Sequence, residues 1–143
     1  MGDTPAPDLA AAIEGERRLE NRHVVHWPVL LNWSAGGQPQ AAAGRTLELS
    51  FGGARVTAEH NFPLGETLAC RISVRPWHGN SGMFDLDVTA RVMHCAYSAA
   101  NDGFDIGLQF TGFAGDGKER LAKVVQALEK GVATVGKVVK GER

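Results

Sequence analysis

Cysteine is scarce in this chain, and the two present, Cys70 and Cys95, stand alone. Neither lies in a C-x-x-C pair or at ligand spacing from a histidine. That excludes a disulfide framework or a cysteine-bound metal as the organising device and leaves two thiols in a reducing cytoplasm. Charge of one sign is lacking too: 15 Lys and Arg stand against 16 Asp and Glu, a formal net charge of −1. Without a basic surplus, a DNA or RNA duplex is not the expected partner, although a local arginine cluster can still hold a small anion. No apolar run approaches the length of a membrane span, and Met1-Gly2-Asp3-Thr4-Pro5 lacks the basic-then-apolar start of a secretory leader. The chain is therefore expected to be cytoplasmic and soluble. Walker and G-x-G phosphate cradles are missing. His23, His26, His60, His78 and His94 are scattered, with no nucleophile and orienting group beside them. No catalytic residue is assigned and an enzyme is not expected. Asp85 and Asp87 lack a third ligand and read as a solvated sheet face, not a metal site.

What is present is periodicity. At 143 residues the chain is long enough for one domain with one core. Residues 1–14 begin with a proline-containing, weakly apolar stretch and become Ala- and Glu-rich, a leader expected to be disordered or partly helical. The domain proper is expected over 15–140. Val25, Trp27, Val29, Leu31 and Trp33 alternate with more polar positions, which predicts a strand with one buried face. Pro28 predicts that this strand is at an edge or bulged. Ser34-Ala35-Gly36-Gly37 and the Gln/Pro/Ala run after it read as a connection. Leu47 and Leu49 are expected to share a core face in the next strand, Ala54–Ala58 returns from the turn at Phe51-Gly52-Gly53, and Leu68, Cys70, Ile72 and Val74 line another strand. The loop Trp77–Gly82 reads as a tethered tip. Phe84, Leu86, Val88, Ala90 and Val92 give the clearest alternation, and the apolar phase then flips to Met93, Cys95 and Tyr97, which predicts a bulge or barrel corner. Asn101-Asp102-Gly103 is a turn signal ahead of Phe104, Ile106, Leu108 and Phe110. From about 116 to 139 the period becomes helical, with Leu121, Val124, Val125, Leu128, Val132 and Val135 on one stripe. About six short strands over 23–113 and one amphipathic helix predict a mainly β fold, a small antiparallel barrel with its open side covered by a C-terminal α-helix.

Two short stretches carry chemistry. Arg17-Arg18-Leu19-Glu20-Asn21-Arg22 contains R-x-x-x-R at Arg18 and Arg22, and about 25 residues later Glu48-Leu49-Ser50-Phe51-Gly52-Gly53 contains S-x-x-G at Ser50 and Gly53. Arginines four apart share a face whether the segment is helical or extended. Their planar guanidinium groups fork onto phosphate or onto guanine O6 and N7 and stack on a purine, whereas lysine offers a point charge. Glu48 and Ser50, two apart on a strand, are expected on one face, with Ser50 able to donate to phosphate. Gly52 and Gly53 are expected to allow close backbone approach and positive φ.

Together, in that order and spacing, the two stretches resemble the ligand signature of PilZ domains, the family with which bacteria sense cyclic di-GMP. The stretch Gly103–Phe110, G-F-D-I-G-L-Q-F, is similar to the family's closing strand. The resemblance runs from about Arg17 to about Leu128 and implies a six-stranded antiparallel barrel with a C-terminal helix. It implies that Arg18 and Arg22 bind phosphate and guanine, and that Ser50, Gly52 and Gly53 form the second half of the site. Glu48 occupies the place of the family's Asp or Asn, reading the guanine N1/N2 edge. It also implies that Arg17, immediately before the arginine pair, favours a stacked pair of ligand molecules. The expected cargo is cyclic di-GMP with no further cofactor, and the expected partner is an effector such as flagellar, pilus or exopolysaccharide machinery.

The departure at Glu48 can be weighed. Its carboxylate still accepts hydrogen bonds but reaches roughly 1.5 Å further than that of Asp. A misplaced polar partner costs about 1–3 kcal/mol, on the order of ten- to a hundredfold in affinity. If the pocket does not absorb the shift, the rival reading applies: a degenerate module that does not bind the nucleotide and docks a partner protein through the helix or the Trp77 loop.

Overall fold

The computed structural model describes residues 21–75 and 83–142. Arg17, Arg18, the N-terminal leader and the Trp77 loop lie outside the described residues. Among the described residues, seven strands and a helix follow one another: β1 (His23–Val24), β2 (Pro28–Ala35), β3 (Gln38–Leu49), β4 (Gly53–Ala58), β5 (Thr67–Val74), β6 (Phe84–Ser98), β7 (Gly103–Phe113) and α1 (Gly117–Glu142). All pairings are antiparallel. The order β3-β2-β5-β6-β7-β4 closes through a β3–β4 pairing, so six strands form a closed barrel and β1 lies as a short addition beside β3. Closure removes the unpaired edges that an open sheet exposes.

The alternation read from the sequence fills this barrel. Val29, Leu31, Val56, Leu68, Ile72, Val74, Leu86, Val92 and Ile106 are buried inside, and Leu121, Val125 and Leu128 press down from α1. Beside them, the Arg120 guanidinium lies 3.8 Å from the centroid of the Phe84 ring. Val132 and Val135, the remainder of the predicted stripe, lie outside the described side chains. Outside the barrel, Arg71 and Asp87 sit directly opposite one another and form a forked ion pair at 2.7 and 3.2 Å. That contact, with the charge of Asp85 beyond it, raises the Arg71 pKa further.

Four expectations need correction. Residues 34–44 are not a connection. Ala35 pairs with Gln38, leaving Gly36 and Gly37 as a two-residue hairpin loop with φ of 59° and 80°, and β3 begins at once. Positive φ at both central residues is the turn whose twist matches a hairpin, and glycine adopts it without strain. Pro28 is not at an edge, because β2 lies between β3 and β5. Pro28 opens its strand, where a missing N–H is tolerated.

Leu47 is not in the core. The register slips between Thr46 and Glu48, leaving Leu47 as an extra, half-buried residue. Thr46 and Leu49 take the inward positions, both fully buried. Facing Thr46, residues 25–27 leave the ladder between β1 and β2. The Thr46 hydroxyl accepts from Trp27 N at 2.8 Å and donates to the Val25 carbonyl at 2.5 Å, satisfying backbone groups that the interruption would strand. The predicted phase flip in β6 is present as a register shift between Val92 and His94. Met93, however, is the extra residue and faces solvent, while Cys95 packs against the core.

Candidate functional site

The hairpin between β3 and β4 carries the second motif. Ser50 is buried, and its hydroxyl accepts from Gly53 N at 3.2 Å and lies 3.3 Å from the Gly53 carbonyl, to which it donates. A backbone bond from Ser50 N to the same carbonyl at 2.9 Å closes the turn. Ser50 therefore does not share the half-exposed face of Glu48, as strict alternation predicted. The hydroxyl organises the turn that presents the motif.

Gly52 and Gly53 are not among the glycines of positive φ. The requirement at Gly53 is room. It pairs with Gln109 of β7, and a Cβ there would run into the Leu108 carbonyl oxygen. Phe110 N donates to the Gly52 carbonyl at 2.9 Å, so the turn is fastened directly to β7.

The charges around the turn form a chain across three strands. Glu48 sits directly opposite Arg55 in the β3–β4 ladder. Its Oε1 lies 3.5 Å from Arg22 Nη1 and its Oε2 lies 3.6 Å from Arg55 Nη2. Arg55 Nη1 in turn donates to Asp105 Oδ2 of β7 at 2.7 Å. The two ends differ: Arg22 is 63% exposed, whereas Asp105 is 19% exposed and its second oxygen is buried with no hydrogen-bond partner among the described residues. The Arg55–Asp105 end is therefore firm and the Arg22–Glu48 end loose. An exposed pair contributes about 0–1 kcal/mol.

Beside this chain lies an open cleft of about 550 Å³ on the outer wall of the barrel. Arg22, Ser50, Gly53 and Arg55 line one side, and Met93, His94, Gly107 and Gln109 line the other. That volume is within the range usual for small-molecule sites, about 300–1,000 Å³. Gly53 has no room for a side chain, because the Leu108 carbonyl stands where its Cβ would be, and a Cβ on Gly107 would crowd His94. The structure thus brings Arg22, Glu48, Ser50, Gly52 and Gly53 together at one place.

Sequence reasoning missed Arg55, Asp105, Met93, His94 and Gln109. Arg55 had a signal: a turn at 50–53 places residue 55 opposite residue 48. The others come from β6 and β7, whose register at the cleft depends on the Met93 bulge, which alternation locates without fixing its partner.

Comparison with known proteins agrees with this fold. The family model for the PilZ domain matches residues 16–127. The chain belongs to the PilZ domain family. No curated protein matches it by sequence.

Among solved structures, YcgR of Escherichia coli in complex with c-di-GMP superposes with a TM-score of 0.63 at 12% identity, over 83% of this chain and 49% of that one. The inhibitor of motility MotI/DgrA of Bacillus subtilis gives 0.60 at 14% identity, over 79% and 49%. The PilZ domain of CeSA from a cellulose-synthesizing bacterium gives 0.51 at 22% identity, over 76% and 98%. At these identities the likeness establishes the shared fold. The chain spans about half the length of YcgR and MotI. Among the described residues, no helix is long and apolar enough to cross a membrane.

Proposed function

We propose that this chain is a cyclic di-GMP receptor domain, without catalytic activity, that converts nucleotide binding into a change in its contact with a partner protein. The observation that carries the reading is the convergence of Arg22, Ser50 and Gly53 on one open cleft, with Glu48 paired to the Arg22 and Arg55 that line it. Arg18 and Arg22 supply planar cations for phosphate and guanine, and Ser50 and Gly53 shape the wall beside them. Glu48, steadied by Arg55, presents a carboxylate for the guanine N1/N2 edge. Arg17, by the family's pattern, favours a stacked ligand pair.

Without ligand, Arg22 rests on Glu48. Charge-assisted hydrogen bonds to a desolvated ligand contribute about 1.5–3 kcal/mol each, more than an exposed pair at 3.5 Å. The ligand therefore outcompetes Glu48 for Arg22 and frees the Glu48 Oε1 to accept from guanine. The arginine arm then folds onto the nucleotide, and the altered surface meets the effector. Motility, pilus or exopolysaccharide machinery are the partner classes that fit. The printed descriptions of YcgR with c-di-GMP and of MotI as an inhibitor of motility support this reading.

A specific observation also favours the rival. Both oxygens of Glu48 already face a guanidinium, which is the state expected of a site closed by its own side chains. Under that reading the chain is a protein-docking module that takes no nucleotide.

Two variants separate them. Arg22→Ala should weaken cyclic di-GMP binding at least tenfold in a calorimetric titration. Glu48→Asp, which withdraws the carboxylate from Arg22 and restores the family's residue, should tighten it. Unchanged affinity in Arg22→Ala would sink the site assignment, and a Glu48→Asp variant that still takes no ligand would favour the docking module.

A further inference from the structure

Arg22 projects from the chain between two residues held by a single carboxylate of the helix. Asn21 Nδ2 donates to Glu129 Oε2 at 3.3 Å, and His23 Nε2 lies 3.1 Å from Glu129 Oε1. The His23 nitrogen and that Glu129 oxygen are both shut off from solvent and, among the described residues, have no hydrogen-bond partner, so each is left facing the other as its nearest opposite group. Arg22 reaches the opposite way, to Glu48, and Val24, the next residue in the alternation, is 68% exposed. Extended backbone sends successive side chains to opposite faces. A grip on residues 21 and 23 from the helix side therefore fixes the face on which Arg22 emerges. A slip of one residue would turn Arg22 under the helix and His23 out to the cleft.

We infer that Glu129 is a positioning residue for Arg22, and that through it the nucleotide cleft is coupled to α1. The inference rests on the proposed receptor function for what Arg22 binds, but not for where Arg22 is held. β1 has only two residues in the ladder, His23 opposite Leu49 and Val24 opposite Glu48. Among the described residues the chain is next fastened at Val25, whose carbonyl accepts from Thr46, so a pull on Arg22 is passed first to its neighbours. A ligand that lifts Arg22 off Glu48 displaces β1, and Asn21 and His23 carry that displacement to Glu129 and the helix. The coupling is reciprocal: a partner that seizes α1 and disturbs Glu129 loosens the ligand by the same factor.

The test has one arm without nucleotide and one with it. In the first, the parent, Glu129→Leu and Glu129→Gln are digested briefly with trypsin. Cutting after Arg22 is measured by mass relative to cutting after Arg91, which lies within β6 and reports opening of the barrel. Leucine fills the space without an acceptor and should raise the Arg22/Arg91 ratio about tenfold, whereas glutamine, keeping one acceptor, should raise it less than about threefold. An unchanged ratio in Glu129→Leu overturns the inference, because the arm would then be held by something else.

In the second arm, Glu129→Leu should bind cyclic di-GMP roughly tenfold more weakly, and hydrogen exchange along α1 should no longer respond to the ligand. Parent-like affinity with the helix response retained overturns the coupling. If the parent itself takes no nucleotide, the receptor function fails, and the trypsin ratio still decides whether Glu129 holds Arg22.

Discussion

Thr46 shows how much one hydroxyl can determine. It is fully buried, yet its oxygen serves Trp27 N and the Val25 carbonyl at the point where β1 and β2 part. Valine has the same shape without the polar atom, so Thr46→Val would leave two buried backbone groups unpaired. The expected cost is about 1–3 kcal/mol, read as a lower urea midpoint at unchanged slope. Because β1 carries Arg22 away from this break, the same variant should also loosen the arm.

Cys70 is the other buried group with a measurable consequence. Desolvation by the surrounding core pushes its thiol from an ordinary 9.0 up to about 12. The folded state keeps a proton that the unfolded chain releases above pH 9, so the contribution to stability is full below that pH and is lost as pH rises toward 12. Thermal unfolding of the parent and of Cys70→Val should therefore diverge across that window, with the parent falling more steeply. At neutral pH Cys70 should resist thiol reagents in the native protein and Cys95, which is half-exposed, should react first.

At the level of elements, the barrel was legible because the apolar residues keep a two-residue period over β5, over β6 as far as Val92 and over β7 from Phe104 to Phe110, and because the final stripe at Leu121, Val125 and Leu128 keeps a helical one. Legibility failed where the period breaks. The Leu47 bulge moved Thr46 into the core, a residue that propensity does not place there, and exchanged it for a leucine that propensity does. The Gly36-Gly37 hairpin was hidden because Gln38–Ala43 is polar or small and carries no alternation, its pairing coming from the turn alone. The second motif was legible as residues but not as geometry. Ser50 looked like a ligand donor on the face of Glu48, whereas its hydroxyl closes its own turn. Gly53 looked like a source of positive φ, whereas it makes room for β7. Gly53→Ala should accordingly force β4 and β7 apart, with an expected loss of about 1–3 kcal/mol, seen in chemical denaturation. Since the same turn forms one wall of the cleft, any ligand affinity should fall with it.

For the whole molecule, a closed barrel is rigid and offers few ways to signal that a small molecule has docked on its outer wall. Among the described residues, the parts outside closure are β1, with Asn21 and Arg22 before it, and α1. Arg22 stands between them, paired loosely with Glu48 on the cleft side and flanked by contacts to Glu129 on the helix side. The longer carboxylate at position 48 fits this arrangement. It reaches Arg22 in the empty site and so holds ready the cation that the ligand needs, at a cost of about 1 kcal/mol or less to release it. Glu48→Asp shortens that reach, and titration should then show tighter binding with greater sensitivity to salt, because salt no longer helps by weakening a protein ion pair that the ligand must break.

The central claim is that the cleft takes cyclic di-GMP, and calorimetric titration of the folded protein with cyclic di-GMP, with GMP as the control, tests it most directly. The account predicts saturable binding selective over GMP, with a stoichiometry near two per chain if Arg17 acts as the family's pattern implies. A folded sample that gives no heat at high ligand concentration would contradict it.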